Sequence, residues 1–478
     1  MATQIEELNR IFALQKGNYS PAHTPSYQVR MDRLNRMDKL IRNHIDDIVA
    51  ATQQDFGTRS ADWGFTAEIY SPLDLLKKIK GKLKGWMKPE RKSSGWFALT
   101  GQRTYQVNEP LGVVGVMSPF NAPVSLALDP TIEALAAGNT VMIKFSESTP
   151  HTAELMKKLV SQYFQEEELA VVTGEVEVSV AFAGQAWDLF FFTGGSEVGK
   201  KILEANAKHL TPTILELGGK SPCVVLDDAD IEFTAKRIAT VRQLNAGQVC
   251  IAGDYAFVPE KQVEAFVETA IKNSEEIYPS IIENPDFTSI INEREFNRIV
   301  SYIEEAREAG CRIVQANPQN ELVPDPVSRK IPLTIVVNPP RHLKVAKFEI
   351  FGPVLTVFGY TDLNQVIAQI NANEKPLALY IFGKSDQKIN QVVMNTSSGG
   401  VTINDELMHA NARDMGFGGV GYSGMGRYKG GKIGYYAFTN PKAVHKQGLM
   451  RKYTSIFFPP FKKDSSRKML RSQVGVKS

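Results

Sequence analysis

Between residues 111 and 217 short apolar runs alternate with helical stretches, and this alternation limits the possible folds more than any other feature. Leu111–Met117, Thr140–Phe145, Leu169–Val172, Asp188–Phe192 and Thr213–Leu217 read as strands, with helical patterns near 122–137, 151–164, 175–182 and 196–207. Strands joined by helices form βαβ units, so the stretch predicts a parallel sheet covered on both faces, with ligands at the carboxyl ends of its strands. From about 216 the alternation restarts. Strands are expected at Cys223–Leu226, Tyr255–Val258, 332–337, 354–359, 378–382 and 400–403, and helices at 231–246, 261–275, 294–309 and 362–372. That is a second α/β domain, its boundary near 215 resting on the restart alone. Ahead of both, residues 29–49 and 66–84 show helical periodicity, and Thr104–Asn108 shows the period-two pattern of a two-faced strand.

At 478 residues the chain exceeds one ordinary core, and length alone suggests roughly three domains. A net charge of +3 implies no nucleic-acid partner, but its distribution is uneven. Residues 451–478 carry eight Lys/Arg against one acid, Asp464, so the preceding body is slightly acidic. Three cysteines without metal-ligand spacing argue against a disulfide framework or zinc site and fit a reducing compartment. The first residues lack the basic and apolar regions of a signal peptide, and no apolar run approaches the ~20 residues that span a bilayer. The expected location is cytoplasmic.

Several segments carry side chains able to do chemistry. Cys250 lies in Asn-Ala-Gly-Gln-Val-Cys-Ile-Ala-Gly, among residues too small to crowd a thiol. Upstream, Glu216 ends a strand and is followed by Leu217-Gly218-Gly219-Lys220. A thiol and a carboxylate able to activate water are what a covalent thioester mechanism requires. Cys223 and Cys311 look like small core residues. Gly194, Ser196 and Gly199 follow a strand and open a helix, either as a phosphate-binding turn or as a plain strand–helix connection. Lys144 and Glu147 end another strand, as ribose ligands or as a solvated pair. Asn121 either donates to an oxyanion or caps the next helix. Glu349 and Phe351 hold a ribose or flank a turn. The glycines crowded after 404 suit a loop over an active site or a flexible connector.

Taken in order, Asn121, Lys144, Gly194/Gly199, Glu216-Leu-Gly-Gly-Lys, Gly-Gln-Val-Cys250 and Glu349-Ile-Phe-Gly-Pro resemble the NAD(P)-dependent aldehyde dehydrogenase superfamily from about residue 30 to 445. Cys250-Ile-Ala-Gly-Asp254-Tyr255 and the glycine run 418–426 are similar to the class 3 branch, and Pro285–Arg294 to its bacterial coniferyl aldehyde dehydrogenases. The resemblance implies an α/β fold with a Rossmann-type parallel sheet, a second α/β catalytic domain and a small oligomerisation element. The corresponding divisions are 1–215, with an oligomerisation strand near 100–110, then 216–405, and 406–478 with a glycine-rich loop, a strand and the basic tail.

It further implies that Cys250 attacks an aldehyde, that Asn121 and the Cys250 backbone N–H hold the oxyanion, and that Glu216 activates water to release the acid. Glu349 is the rival base. Lys144 and Glu147 are expected at the adenosine ribose, the Gly194–Gly199 turn with Ser196 at the pyrophosphate, and Glu349 with Phe351 at the nicotinamide side. Glu147 would repel a 2′-phosphate, which favours NAD over NADP. Phe120, Phe145, Gly195, Met415-Gly416 and Lys429 depart from the common pattern without removing a chemical group. A CoA-acylating enzyme, or an idle scaffold binding other surfaces, is the alternative; Glu216 argues against the first and the intact polar set against the second. Coniferyl-type aromatic aldehydes come first as substrates and aliphatic ones second, with Trp63, Tyr70 and Phe120 as candidates for an apolar mouth. Segments 103–107 and 433–445 look like strands seeking partners, as in a homodimer. The tail Arg451–Lys463 either meets an anionic membrane surface or docks on the protein.

Overall fold

A computed structural model describes residues 2–412, 414–449, 458–459 and 464–476. In chain order the strands begin with β1 (Glu90–Lys92) and β2 (Arg103–Pro110). There follow β3 (Val113–Met117), β4 (Thr140–Lys144), β5 (Leu169–Val172), β6 (Leu189–Gly194) and β7 (Thr213–Leu217). The next group is β8 (Pro222–Val225), β9 (Tyr255–Pro259), β10 (Arg312–Gln315), β11 (Thr334–Val337), β12 (Val354–Tyr360), β13 (Ala378–Phe382) and β14 (Gly400–Ile403). The set closes with β15 (Gly424–Met425) and β16 (Thr439–Lys446).

These strands make three sheets, ordered β15-β7-β6-β3-β4-β5, β10-β11-β12-β9-β8-β13-β14 and β1-β2-β16. From β7 to β5 the first sheet is parallel, as strands buried on both faces require. Its apolar runs are continuous because helices cover both sides; Val113, Val114 and Val116 of β3 are all fully buried. The parallel registers align Met117, Lys144, Val172 and Phe192 at one edge, where β3, β4, β5 and β6 end or approach their ends. Glu216 sits one residue before the end of β7 in the same sheet, and the chain passes to the second sheet through Gly218–Ser221. The restart near 215 therefore falls within β7, whose last residues still belong to the first sheet.

In the second sheet β10 runs antiparallel to β11, and the remaining pairs are parallel. The two-faced strand near 104 is β2, which pairs antiparallel with β16 over Arg103–Pro110 and Thr439–Lys446. Part of the expected strand 433–445 is helical, over Lys432–Ala437. The stretch 29–49 is two helices, Tyr27–Asn43 and Ile45–Phe56, meeting at His44. The stretch 66–84 lies in a longer run that widens to a π-helix over Phe65–Tyr70 before continuing through Ser71–Trp86.

Among the described residues no helix is long and apolar enough to cross a membrane, and no cluster of His, Cys, Asp and Glu could hold a metal ion. All three cysteines are free. Of the basic, aromatic segment Arg451–Lys463, only Phe458 and Pro459 fall within the described residues.

Candidate active site

The loop that carries Cys250 begins where the helix Ile231–Gln243 stops. Asn245, Ala246 and Gly247 follow one another in the left-handed region, at φ of 51°, 53° and 71°. Two of the three carry a Cβ, which raises the energy of that conformation by about 1 kcal/mol each. Glycine is required at the third, where a Cβ would lie 2.2 Å from the Gly352 carbonyl oxygen. Buried hydrogen bonds offset the strain. Gln248 donates from Nε2 to the carbonyls of Asn245 (2.9 Å) and Ser289 (3.1 Å) and accepts at Oε1 from the Ile291 N–H (3.0 Å). The segment Pro285–Arg294 thus grips the loop that presents Cys250.

Asn121 reaches the same loop from the end of β3. Its Nδ2 donates to the Gln248 carbonyl at 3.0 Å, two residues before Cys250. An amide NH2 has two hydrogens, so one remains for a second acceptor. Asn121 does not cap the helix Pro123–Ala137; its N-cap position is Ala122.

Glu216 is buried, and neither carboxylate oxygen accepts a hydrogen bond from the described residues. An unpartnered buried carboxylate is destabilising, and native sites keep one where chemistry uses it. Burial pushes its pKa well above the usual carboxylate value, opposed by the Arg427 and Lys429 cations. The glycine-rich segment supplies the room. β15 pairs antiparallel with β7, Gly424 opposite Glu216, and a Cβ on Gly418 would lie 3.0 Å from Glu216 Oε1. The glycines after 404 therefore form a packed loop at the sheet edge beside this carboxylate.

Glu349 approaches from the second sheet. Lys220 Nζ donates to the carbonyls of Val345 (2.9 Å) and Phe348 (3.1 Å) and to Asp254 Oδ2 (2.7 Å). That anchor ties the Gly218-Gly219 turn to the residue preceding Glu349. Burial first, then Asp254, raises the Glu349 carboxyl to about 7, while the Gly219 amide, Arg242 and Lys220 pull it back. Cys250 is raised to about 12 by burial, then by Glu349 and Glu216, against Lys429 and its own backbone N–H. Burial and the two carboxyl groups thus favour the protonated form of this thiol. Phe351, at φ 49°, meets Phe120 edge-to-face with ring centroids 5.7 Å apart. Trp63 is half-buried and Tyr70 mostly exposed.

At the first sheet's edge the residues fit a dinucleotide. Lys144 is buried, forms no ion pair among the described residues and donates to the Phe145 carbonyl at 2.6 Å. Burial lowers its pKa against the attraction of Glu147 and Glu175. A buried cation with so little protein compensation is suited to a polar ligand. Glu147 is exposed in the loop that follows β4, two residues beyond Phe145. At Gly195, which opens the helix Ser196–Ala207, nothing lies within 4 Å of where a Cβ would stand, leaving open space at a helix N-terminus suited to phosphate. Gly199 lets that helix pack on β7, since a Cβ there would meet Leu217 at 2.9 Å. Ser196 Oγ donates to the Tyr422 carbonyl at 3.1 Å, tying the helix to the glycine-rich loop.

The structure thus brings Cys250, Asn121, Glu216 and Glu349 together, with Lys144 and the Gly194–Gly199 turn along the same sheet edge. Sequence reasoning missed Arg59 and Glu68, which stand behind Asn121 as a fully buried ion pair. Their only signal was an acid, Glu68, set between Ala67 and Ile69 on a helical face.

Comparison with known proteins agrees with this geometry. The aldehyde dehydrogenase family model matches residues 4–444. A probable coniferyl aldehyde dehydrogenase of Caulobacter vibrioides is 40% identical over 442 residues, covering 92% of this chain and 91% of that protein. A coniferyl aldehyde dehydrogenase of a Pseudomonas species is 40% identical over 417 residues, covering 87% and 86%. A solved structure described as the substrate-bound state of Staphylococcus aureus AldH superposes with a TM-score of 0.91 at 32% identity, covering 98% of this chain and 99% of that one. With a family model spanning nearly the whole length and relatives this similar from end to end, the chain belongs to the aldehyde dehydrogenase family, enzymes that oxidise aldehydes with NAD(P).

Proposed function

We propose that Cys250 is the nucleophile, Asn121 the oxyanion donor and Glu216 the base that activates the hydrolytic water. The observation that carries this reading is the meeting of three elements. The Asn121 amide lies on the Cys250 loop, 3.0 Å from the Gln248 carbonyl, and the Glu216 carboxylate, unpartnered among the described residues, stands close enough to raise the pKa of the same thiol. The Cys250 thiol passes its proton through the neighbouring Glu216 carboxylate to solvent as its sulfur adds to the aldehyde carbon, and the Asn121 N–H not engaged by the Gln248 carbonyl, with the Cys250 backbone N–H, receives the oxyanion. Bound NAD(P) supplies the hydride acceptor. Glu216 then takes a proton from water as it attacks the thioester, and the acid leaves with the thiol restored. Burial raises the Glu216 pKa above the ordinary carboxylate value, which makes the ionised form a stronger base.

Lys144, Glu147, the Gly194–Gly199 turn, Glu349 and Phe351 are the proposed dinucleotide ligands. Exposed Glu147 beside buried Lys144 supports NAD over NADP, because a 2′-phosphate would meet a second negative charge. An aromatic aldehyde of the coniferyl kind is the proposed substrate, supported by the names of the 40%-identical relatives and by the Phe120–Phe351 pair. A homodimer built on the sheet containing β2 and β16 is proposed from the exposed face of β16. The test is absorbance at 340 nm with an aldehyde and NAD+. Cys250→Ala abolishes the signal while Cys223→Ala, which removes a buried thiol of the second sheet and its contact to Glu406, retains it; activity in Cys250→Ala overturns the assignment.

A further inference from the structure

We infer that Arg59, held by Glu68, is a positioning residue that sets the oxyanion-binding geometry of Asn121; the inference rests on the role proposed above for Asn121. Both side chains are fully buried. The guanidinium uses each of its three nitrogens on a different element. Nη1 donates to Glu68 Oε1 at 2.8 Å, Nη2 to the Asn121 carbonyl at 3.2 Å, and Nε to Asn245 Oδ1 at 3.1 Å. Its face lies on the Phe56 ring, 4.6 Å from the centroid.

Glu68 completes the frame from the other side. Its Oε2 accepts the N–H groups of Val124 (2.9 Å) and Ser125 (3.1 Å), the first amides of the helix that follows Asn121. The ion pair therefore fixes the carbonyl of Asn121 and the helix that leaves it. Asn245 closes the circuit, donating from Nδ2 to the Asn121 carbonyl (3.0 Å) and the Gln248 carbonyl (3.2 Å). One guanidinium thus joins the donor Asn121 to the strained turn that presents Cys250. A lysine has no planar fork and cannot hold three acceptors in these directions.

A double-variant cycle on the full-length enzyme tests this, using kcat, KM and the NAD+ dissociation constant. Arg59→Lys lowers kcat by about tenfold or more, as a misplaced reacting group would, with NAD+ binding unchanged. Added to Asn121→Ala, it lowers kcat little further, because the donor it positions is already gone. A purely structural role would instead add its loss to that of Asn121→Ala and weaken NAD+ binding as well. Unchanged kcat in Arg59→Lys, or additive losses, overturns the inference alone. Undiminished kcat in Asn121→Ala overturns the oxyanion reading and this inference with it. Should Arg59→Lys not fold, Asn245→Ala cuts the same connection while leaving the ion pair, and the same cycle applies.

Discussion

The carboxylate of Glu349 occupies the space that a side chain at Gly218 would fill, a Cβ there falling 2.1 Å from Oε2. The glycine turn after Glu216 thus sets where the second sheet's carboxylate can stand. Gly218→Ala is expected to push Glu349 aside and lower kcat/KM for NAD+ by about tenfold or more. Steady-state kinetics at saturating aldehyde check this, and an unchanged value would separate Glu349 from the cofactor.

The Cys250 thiol, raised to about 12, should be alkylated by iodoacetamide ever faster as pH rises, without a plateau below pH about 10. Glu349 is the largest charged contributor to that rise. Glu349→Gln removes the negative charge, lowers the thiol pKa and speeds alkylation at pH about 9, where the native carboxyl is ionised. Slower alkylation in the variant would contradict the assignment.

Burial of Lys144 with no ion pair among the described residues opposes folding with the charge in place, in line with its lowered pKa. Lys144→Met should therefore leave the melting temperature unchanged or higher while raising KM for NAD+. A lower melting temperature together with unchanged KM would make Lys144 a structural residue.

Glu133 and Glu406 are buried with carboxyl pKa values raised to about 8 from an ordinary 4.5. Between those values the native chain keeps protons that the unfolded chain releases. Their stabilising contribution is complete below about pH 4.5 and is lost as pH rises through about 8, at up to about 1.4 kcal/mol per unit for each group. Glu133→Gln should flatten the fall in urea midpoint between pH about 5 and about 8; an unaltered slope would exclude Glu133 as its source.

The sheets were legible because buried parallel strands must be continuous apolar runs, and β5 and β7 have the bounds that their sequence suggests. The helix Asp386–Asn395 was not, since its buried positions are few, Ile389 and Val392. The helix Ala2–Asn18 was missed for a similar reason: its weakly patterned sequence gains order through contacts such as Gln15 Nε2 to the Val141 carbonyl, 3.1 Å. β10 is an antiparallel addition outside the strand–helix rhythm. Around the site, Cys250 and Glu216 announced themselves by their small neighbours. Arg59 did not, because its partners Asn121 and Asn245 lie 62 and 186 residues away in the chain.

The edge of the first sheet beside Glu216 is finished only by β15, from residues 424–425 of a 478-residue chain. During synthesis the ribosome has released most of both sheets before that edge acquires its last strand. The surroundings of Glu216 are consequently completed only after every other strand of the two large sheets has been made. A nascent chain stopped before residue 416 carries the Cys250 thiol without the loop that encloses its neighbouring carboxylate.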